Sequence, residues 1–135
     1  MKTQEAVVGV ILREGRVLVI QRGPGARMTG YWSPPTGRIE AGESQAQAVV
    51  REMREELGLD VRPLAKVWES RTDDGSFLLH WWLVAEDGDR LILDPGEVSQ
   101  AVWTNTEEFL QLEPTFRGGR EFFRTVLNSV AGAMP

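Results

Sequence analysis

The sequence predicts one α/β domain over residues 1–135, with a mixed β-sheet sandwiched between α-helices (α/β/α). Three observations carry that expectation. The chain has 135 residues, 41% hydrophobic and 26% charged, which suffices for one core and is too little for two. β-Rich runs lie on both sides of the strongest amphipathic segment, residues 43–57. A further helical pattern closes the chain, so helices are available for both faces of the sheet.

Taken in order, Ala6–Leu12 and Val17–Ile20 are β-rich runs joined at Glu14-Gly15, a hairpin that ends at Arg22. Residues 23–37, GPGARMTGYWSPPTG, are dense in glycine and proline and read as loop, with Trp32 on a short extended piece. A loop of that length in so small a domain is usually functional. Glu43–Leu57 reads as a helix, with Ser44 as N-cap and Gly58 as its stop. Ala46, Val49, Val50, Met53 and Leu57 fall within roughly 100° of a 3.6-residue wheel, the face expected to pack on the sheet.

Val61–Ser70 and Ser76–Ala85 read as strands around the turn Asp73-Asp74-Gly75, and Ser99–Trp103 as another strand. Adjacent Trp81 and Trp82 must face opposite sides of their strand, with His80 on the side of Trp82 as a structural residue. Thr106–Leu112 is expected as a short helix capped by Thr106. Gly118–Ala131 is expected as the last helix, burying Phe122, Phe123, Val126, Leu127 and Val130.

Composition removes several classes of chemistry. The chain has no cysteine, which excludes disulfides, thiolate metal sites and cysteine nucleophiles, and its only histidine is His80. A net charge of −5 argues against stable nucleic-acid binding through bulk electrostatics. Thirteen of the fifteen cations are arginine, whose planar fork suits phosphate oxygens. No apolar run approaches the roughly 20 residues that cross a bilayer, and no targeting segment is visible, so a cytoplasmic protein without membrane contact is expected.

The polar side of the central helix carries the chemistry. Glu52, Glu55 and Glu56, at i, i+3 and i+4, are expected to fan from one face over roughly 100°. Like charges at this spacing repel by a few tenths of a kcal/mol per pair, and a hard divalent cation such as Mg2+ or Mn2+ would offset that. The alternative is a solvated helix face neutralised by Arg51 and Arg54.

The surrounding residues discriminate between the two. From Gly37 to Leu59 the chain reads GRIEAGESQAQAVVREMREELGL, the form G-x5-E-x7-R-E-U-x-E-E-x-G-U, with Met53 and Leu59 at the aliphatic positions U. This resembles the Nudix box at all nine specified positions, and with average residue frequencies a chance match is on the order of 10⁻⁷. The box covers 23 of 135 residues, and the flanking order of elements is also similar to the Nudix (MutT-like) fold.

The resemblance implies a hydrolase that splits a phosphoanhydride in a nucleoside diphosphate linked to another moiety, with Mg2+ as cofactor and Mn2+ as substitute. It implies Gly37, Glu52, Glu55 and Glu56 as the metal site, with Glu56 the foremost ligand and Glu52 or Glu55 serving the attacking water. It implies Arg51 as the residue that fixes a catalytic carboxylate, and Glu43 as a partner behind the ligands. Outside the box, Glu97 stands where many Nudix enzymes carry another carboxylate that reaches the metals or acts as base. Arg22 and Arg38 are candidates for holding phosphates. The chain departs from the frequent Pro-Gly-Gly at Pro35-Thr36-Gly37, which bears on loop geometry and substrate fit.

For the substrate, no SQPWPFP-type run and no tyrosine after the box argue against NADH and dinucleoside-polyphosphate specialists. Residues 1–5 leave no room for the longer amino-terminal part of many ADP-ribose enzymes. A nucleoside triphosphate, cleaved to monophosphate and pyrophosphate, is the favoured expectation, with an ADP-ribose or nucleotide-sugar diphosphatase next. The segment QLEPTFRGG lacks the asparagine of the MutT-type purine reader, so oxidised-guanine specificity is not expected. A non-catalytic Nudix-like nucleotide-binding module is the alternative of a different class. Oligomeric state is left open, with a homodimer through the sheet edges or the last helix among the options.

Overall fold

The computed structural model describes residues 3–88 and 90–133. Strand β1 (Gln4–Arg13) and β2 (Arg16–Arg22) form the expected hairpin. Its two-residue turn places both Glu14 and Gly15 at positive φ, 51° and 77°, the conformation whose twist matches flanking strands. The Gly/Pro-rich segment is not all loop: it holds β3 (Trp32–Ser33) and β4 (Thr36–Arg38), and Gly37 lies in the latter, paired with Val7.

Helix α1 (Gln45–Leu57) follows, shorter at its start than the sequence implied. Ser44 and Gln47 form a reciprocal capping box, and Gly58 closes the helix in the left-handed region at φ 66°. Next come β5 (Val61–Arg71), β6 (Phe77–Glu86) and β7 (Val98–Thr104), each within about two residues of its expected bounds.

The strands run in the order β3-β2-β1-β6-β5, with β4 on β1 and β7 on β2. β1 lies parallel to β6 from Gln4↔Phe77 to Ile11↔Val84, whereas the other pairings are antiparallel. The sheet is therefore mixed. β1 pairs β4 at Ala6–Val8 but β2 only at Leu12–Arg13, so the two halves of the sheet diverge beyond the hairpin end.

A hydrophobic cluster covers each face. Val7, Ile11, Leu18, Val49, Met53 and Leu57 pack beneath α1. There the helix crosses close enough that a Cβ on Gly9 would come within 2.7 Å of Met53 Sδ. On the other face Val8, Val10, Trp81, Leu83, Phe109 and Phe122 meet the carboxy-terminal helices. Trp81 belongs to this second cluster while Trp82 packs against the first, as strand alternation requires. His80 is buried, 2.8 Å from Glu5 Oε1 through Nε2.

Two expectations are corrected here. The short helix α2 (Thr106–Gln111) is capped by Asn105, not Thr106; Asn105 forms a capping box with Glu108, and Thr106 instead bonds the Phe123 carbonyl at 3.2 Å. The last helix is divided into α3 (Arg117–Glu121), a π turn at Phe122–Val126, and α4 (Leu127–Ala133). On a regular helix Phe122 and Phe123 would project about 100° apart. With the wider turn both are buried, Phe122 stacked on Trp81 at 4.6 Å and Phe123 on Phe109 at 4.1 Å. Among the described residues, no helix is long and apolar enough to cross a membrane.

Candidate active site

The residues of α1 that face inward are Ala48, Val49, Met53, Glu56 and Leu57. Ala46 and Val50, expected in that set, are only half-buried. Glu56 thus stands on the buried side of the helix, three residues beyond Met53, rather than in an exposed acidic fan. The residue is 9% exposed, and its Oε2 has no hydrogen-bond partner. Burial, reinforced by the Glu52, Glu97 and Asp94 charges and opposed by Arg22, pushes the Glu56 carboxyl up to about 8. Glu55, at 57%, is the exposed member of the three.

Glu52 enters the same region against β4. A Cβ built on Gly37 would lie 1.9 Å from Glu52 Cδ. Gly37 is therefore needed for close approach within a strand, not for a tight turn before the helix. Burial lifts the Glu52 carboxyl above its ordinary range, against the pull of Arg51.

Arg51 is the hub of the acidic helix. Its Nε and Nη2 donate to the two oxygens of Glu43, at 2.7 and 2.9 Å, and Nη1 donates to Glu52 at 2.8 Å and Glu55 at 3.1 Å. Nη2 also donates to the Arg38 carbonyl at 2.9 Å, tying helix to strand. The fork raises the Arg51 pKa and holds Glu43 well below the usual carboxylate range.

Glu97 reaches the cluster through a backbone knot. The Asp94 N–H donates to the Glu56 carbonyl at 3.0 Å, Glu97 N–H to the Asp94 carbonyl at 3.1 Å, and Gly23 N–H to the Glu97 carbonyl at 2.9 Å. Arg22, at the end of β2, interacts with the Glu56 and Glu97 charges, and burial lowers its pKa. Its guanidinium sits 5.0 Å from the ring centroid of Phe116.

One cavity of about 760 Å³ gathers Arg22, Gly37, Arg38, Arg51, Glu52, Glu55, Glu56 and Glu97. Glu43 is outside that lining; its carboxylate accepts from Arg51 and from the Glu40 N–H at 3.0 Å. Sequence reasoning missed Asp94, Ser33, Phe77 and Phe116, which line the same cavity. Asp94 had a signal, since Asp-Pro-Gly-Glu is turn chemistry that brings Asp94 and Glu97 to one place. The others are single residues on elements remote in sequence, without a local pattern.

The donors suit a hard divalent cation. They are oxygens, one is buried and unpaired, and a glycine stands where any side chain would expel Glu52. Among the described residues, no three carboxylates or histidines stand close enough to form a closed cage as they lie; Arg51 instead holds Glu52 and Glu55.

Comparison with known proteins gives the family. The NUDIX domain family matches residues 2–126. The CTP pyrophosphohydrolase of Escherichia coli K12 is 36% identical over 114 residues, 82% of each chain. The 8-oxo-dGTP diphosphatase of the same organism is 33% identical over 115 residues, 81% of this chain and 89% of that one. The MutT protein from Methanosarcina mazei Go1 shares the fold at a TM-score of 0.80, with 20% identity, over 96% of this chain and 98% of that chain. The chain belongs to the Nudix hydrolase family.

Proposed function

We propose that this hydrolase converts a nucleoside triphosphate into a monophosphate and pyrophosphate, with a divalent cation, Mg2+ or Mn2+, held by Glu52, Glu55, Glu56 and Gly37. The observation that carries the reading is Glu56: a buried carboxylate with an unpaired oxygen, opening on a cavity that also holds Glu52, Glu97 and Arg22. Burial without a partner disfavours the charged form of this carboxyl, and a cation shared with substrate phosphates would stabilise that form. The relatives named for CTP and 8-oxo-dGTP, both triphosphates, favour this substrate class.

The bound cation would neutralise charge on the phosphoryl oxygens as water attacks phosphorus. The remaining work belongs to the protein. Arg51, its Nε/Nη2 fork anchored on Glu43, orients Glu52 and Glu55 through Nη1. Glu97, from the knot beside Glu56, and Glu52, from α1 against β4, would take the proton of the attacking water. Arg22 and Arg38 face the cavity with donors for phosphate oxygens.

The test is a panel of nucleoside triphosphates, ADP-ribose and nucleotide sugars with Mg2+ or Mn2+, following phosphate and pyrophosphate separately. Triphosphates should release pyrophosphate, and Glu56→Gln should lower that rate at least about 10²-fold while the fold is kept. Turnover confined to ADP-ribose or sugars, or an active Glu56→Gln variant, contradicts the reading.

A further inference from the structure

We propose that Phe77 is a positioning residue that presents Arg27 and Arg38 as a clamp for the terminal phosphates, the end that leaves as pyrophosphate. This rests on the triphosphate reading above. In a chain of net charge −5, several cations are engaged by carboxylates: Arg13 by Glu86, Arg16 by Glu108, Arg51 by Glu43, Arg54 by Asp60, Arg62 by Asp87, and Lys66 by Glu69. Besides Arg71, the arginines Arg22, Arg27 and Arg38 line the cavity that holds the acidic cluster and form no ion pair among the described residues.

They are organised by other means. The Arg27 guanidinium lies 5.8 Å and that of Arg38 5.3 Å from the centroid of the same ring, Phe77. Arg22 Nη1 donates to the Arg27 carbonyl at 3.1 Å. The Arg38 carbonyl accepts from Arg51, so this group is fixed relative to Glu52 and Glu55.

The choice of partner matters chemically. A guanidinium paired with a carboxylate spends its forked N–H donors on that carboxylate. One held over an aromatic face is stabilised through its π surface, and the in-plane donors stay available. Two such cations on one ring suit a group that brings several anionic oxygens, as a terminal diphosphate does. A neutral base stacked on Phe77 would first have to displace them. No sequence motif marks Phe77; only the fold brings the start of β6 beside the loop that carries Arg27 and the end of β4.

The experiment compares wild type, Phe77→Leu, Phe77→Tyr and Arg27→Gln. Each is assayed by steady-state kinetics with a triphosphate and by calorimetric titration with inorganic pyrophosphate and with the nucleoside monophosphate, all with Mg2+. Phe77→Leu should weaken pyrophosphate binding and raise KM together by roughly 5- to 10-fold, leaving kcat and monophosphate binding near wild type. Phe77→Tyr should restore both, and Arg27→Gln should reproduce the selective loss. Weakened monophosphate binding, unchanged pyrophosphate binding, or a tyrosine that fails to rescue overturns the proposal. If wild type releases no pyrophosphate from any triphosphate, the triphosphate reading fails, and the inorganic pyrophosphate titration still decides the clamp.

Discussion

Gly37 and Glu52 show how closely the site is fitted at the level of single residues. No Cβ can be added to Gly37 without meeting the Glu52 carboxyl at 1.9 Å, well inside van der Waals contact. Gly37→Ala should therefore drive Glu52 out of position. The expected result is a rate lower by about 10²-fold, with a small loss in Tm, measured by the same triphosphate assay and a thermal melt. An alanine variant with wild-type turnover would show that Glu52 can work from elsewhere. The box residues were readable because their spacing is specific. The depth of Glu56 was not, since a helical wheel assigns polar residues to the outside and takes no account of the β7 approach at Asp94–Glu97.

Among the elements, the β5–β6 hairpin is held by one exposed carboxylate. Asp74 Oδ1 accepts from Thr72 Oγ1 at 2.8 Å, Ser76 N–H at 2.9 Å and Ser76 Oγ at 2.6 Å. These bonds to the charged form lower its pKa to about 2, from an ordinary 3.8. A depressed carboxylate contributes stability above its unfolded pKa and loses it as pH falls through the folded one. Asp74→Asn should then melt below wild type near neutral pH, and the gap should narrow as pH falls from about 4 toward 2. A gap that is constant with pH would assign the turn to other contacts. This turn was legible, as Asp-Asp-Gly chemistry marks it plainly. The division of the last helix was not, because the π turn accompanies the stacking of Phe122 on Trp81 and Phe123 on Phe109, contacts made only in the folded chain. Likewise β4 hides at the end of a glycine- and proline-rich stretch, where the extended piece expected at Trp32 is β3; both exist because β1 and β2 offer them edges.

For the molecule as a whole, the mixed sheet and its two hydrophobic layers leave the opening between diverging strand pairs as the place where α1, β4 and the β7 approach converge. The cavity there brings the carboxylates of α1 and the β7 approach together with arginines that include Arg22, Arg27 and Arg38, and Asp73 and Asp74 of the β5–β6 turn also line it. That polarity is the basis for reading a metal-assisted attack on a phosphate chain. The most direct test titrates Mn2+ into wild type and Glu56→Gln, following binding by calorimetry and stability by thermal melting. Wild type should bind at a discrete site and, at about 100 times Kd, gain about 2.7 kcal/mol, whereas Glu56→Gln should gain little. Equal binding and equal stabilisation of the two proteins would contradict the account at its centre.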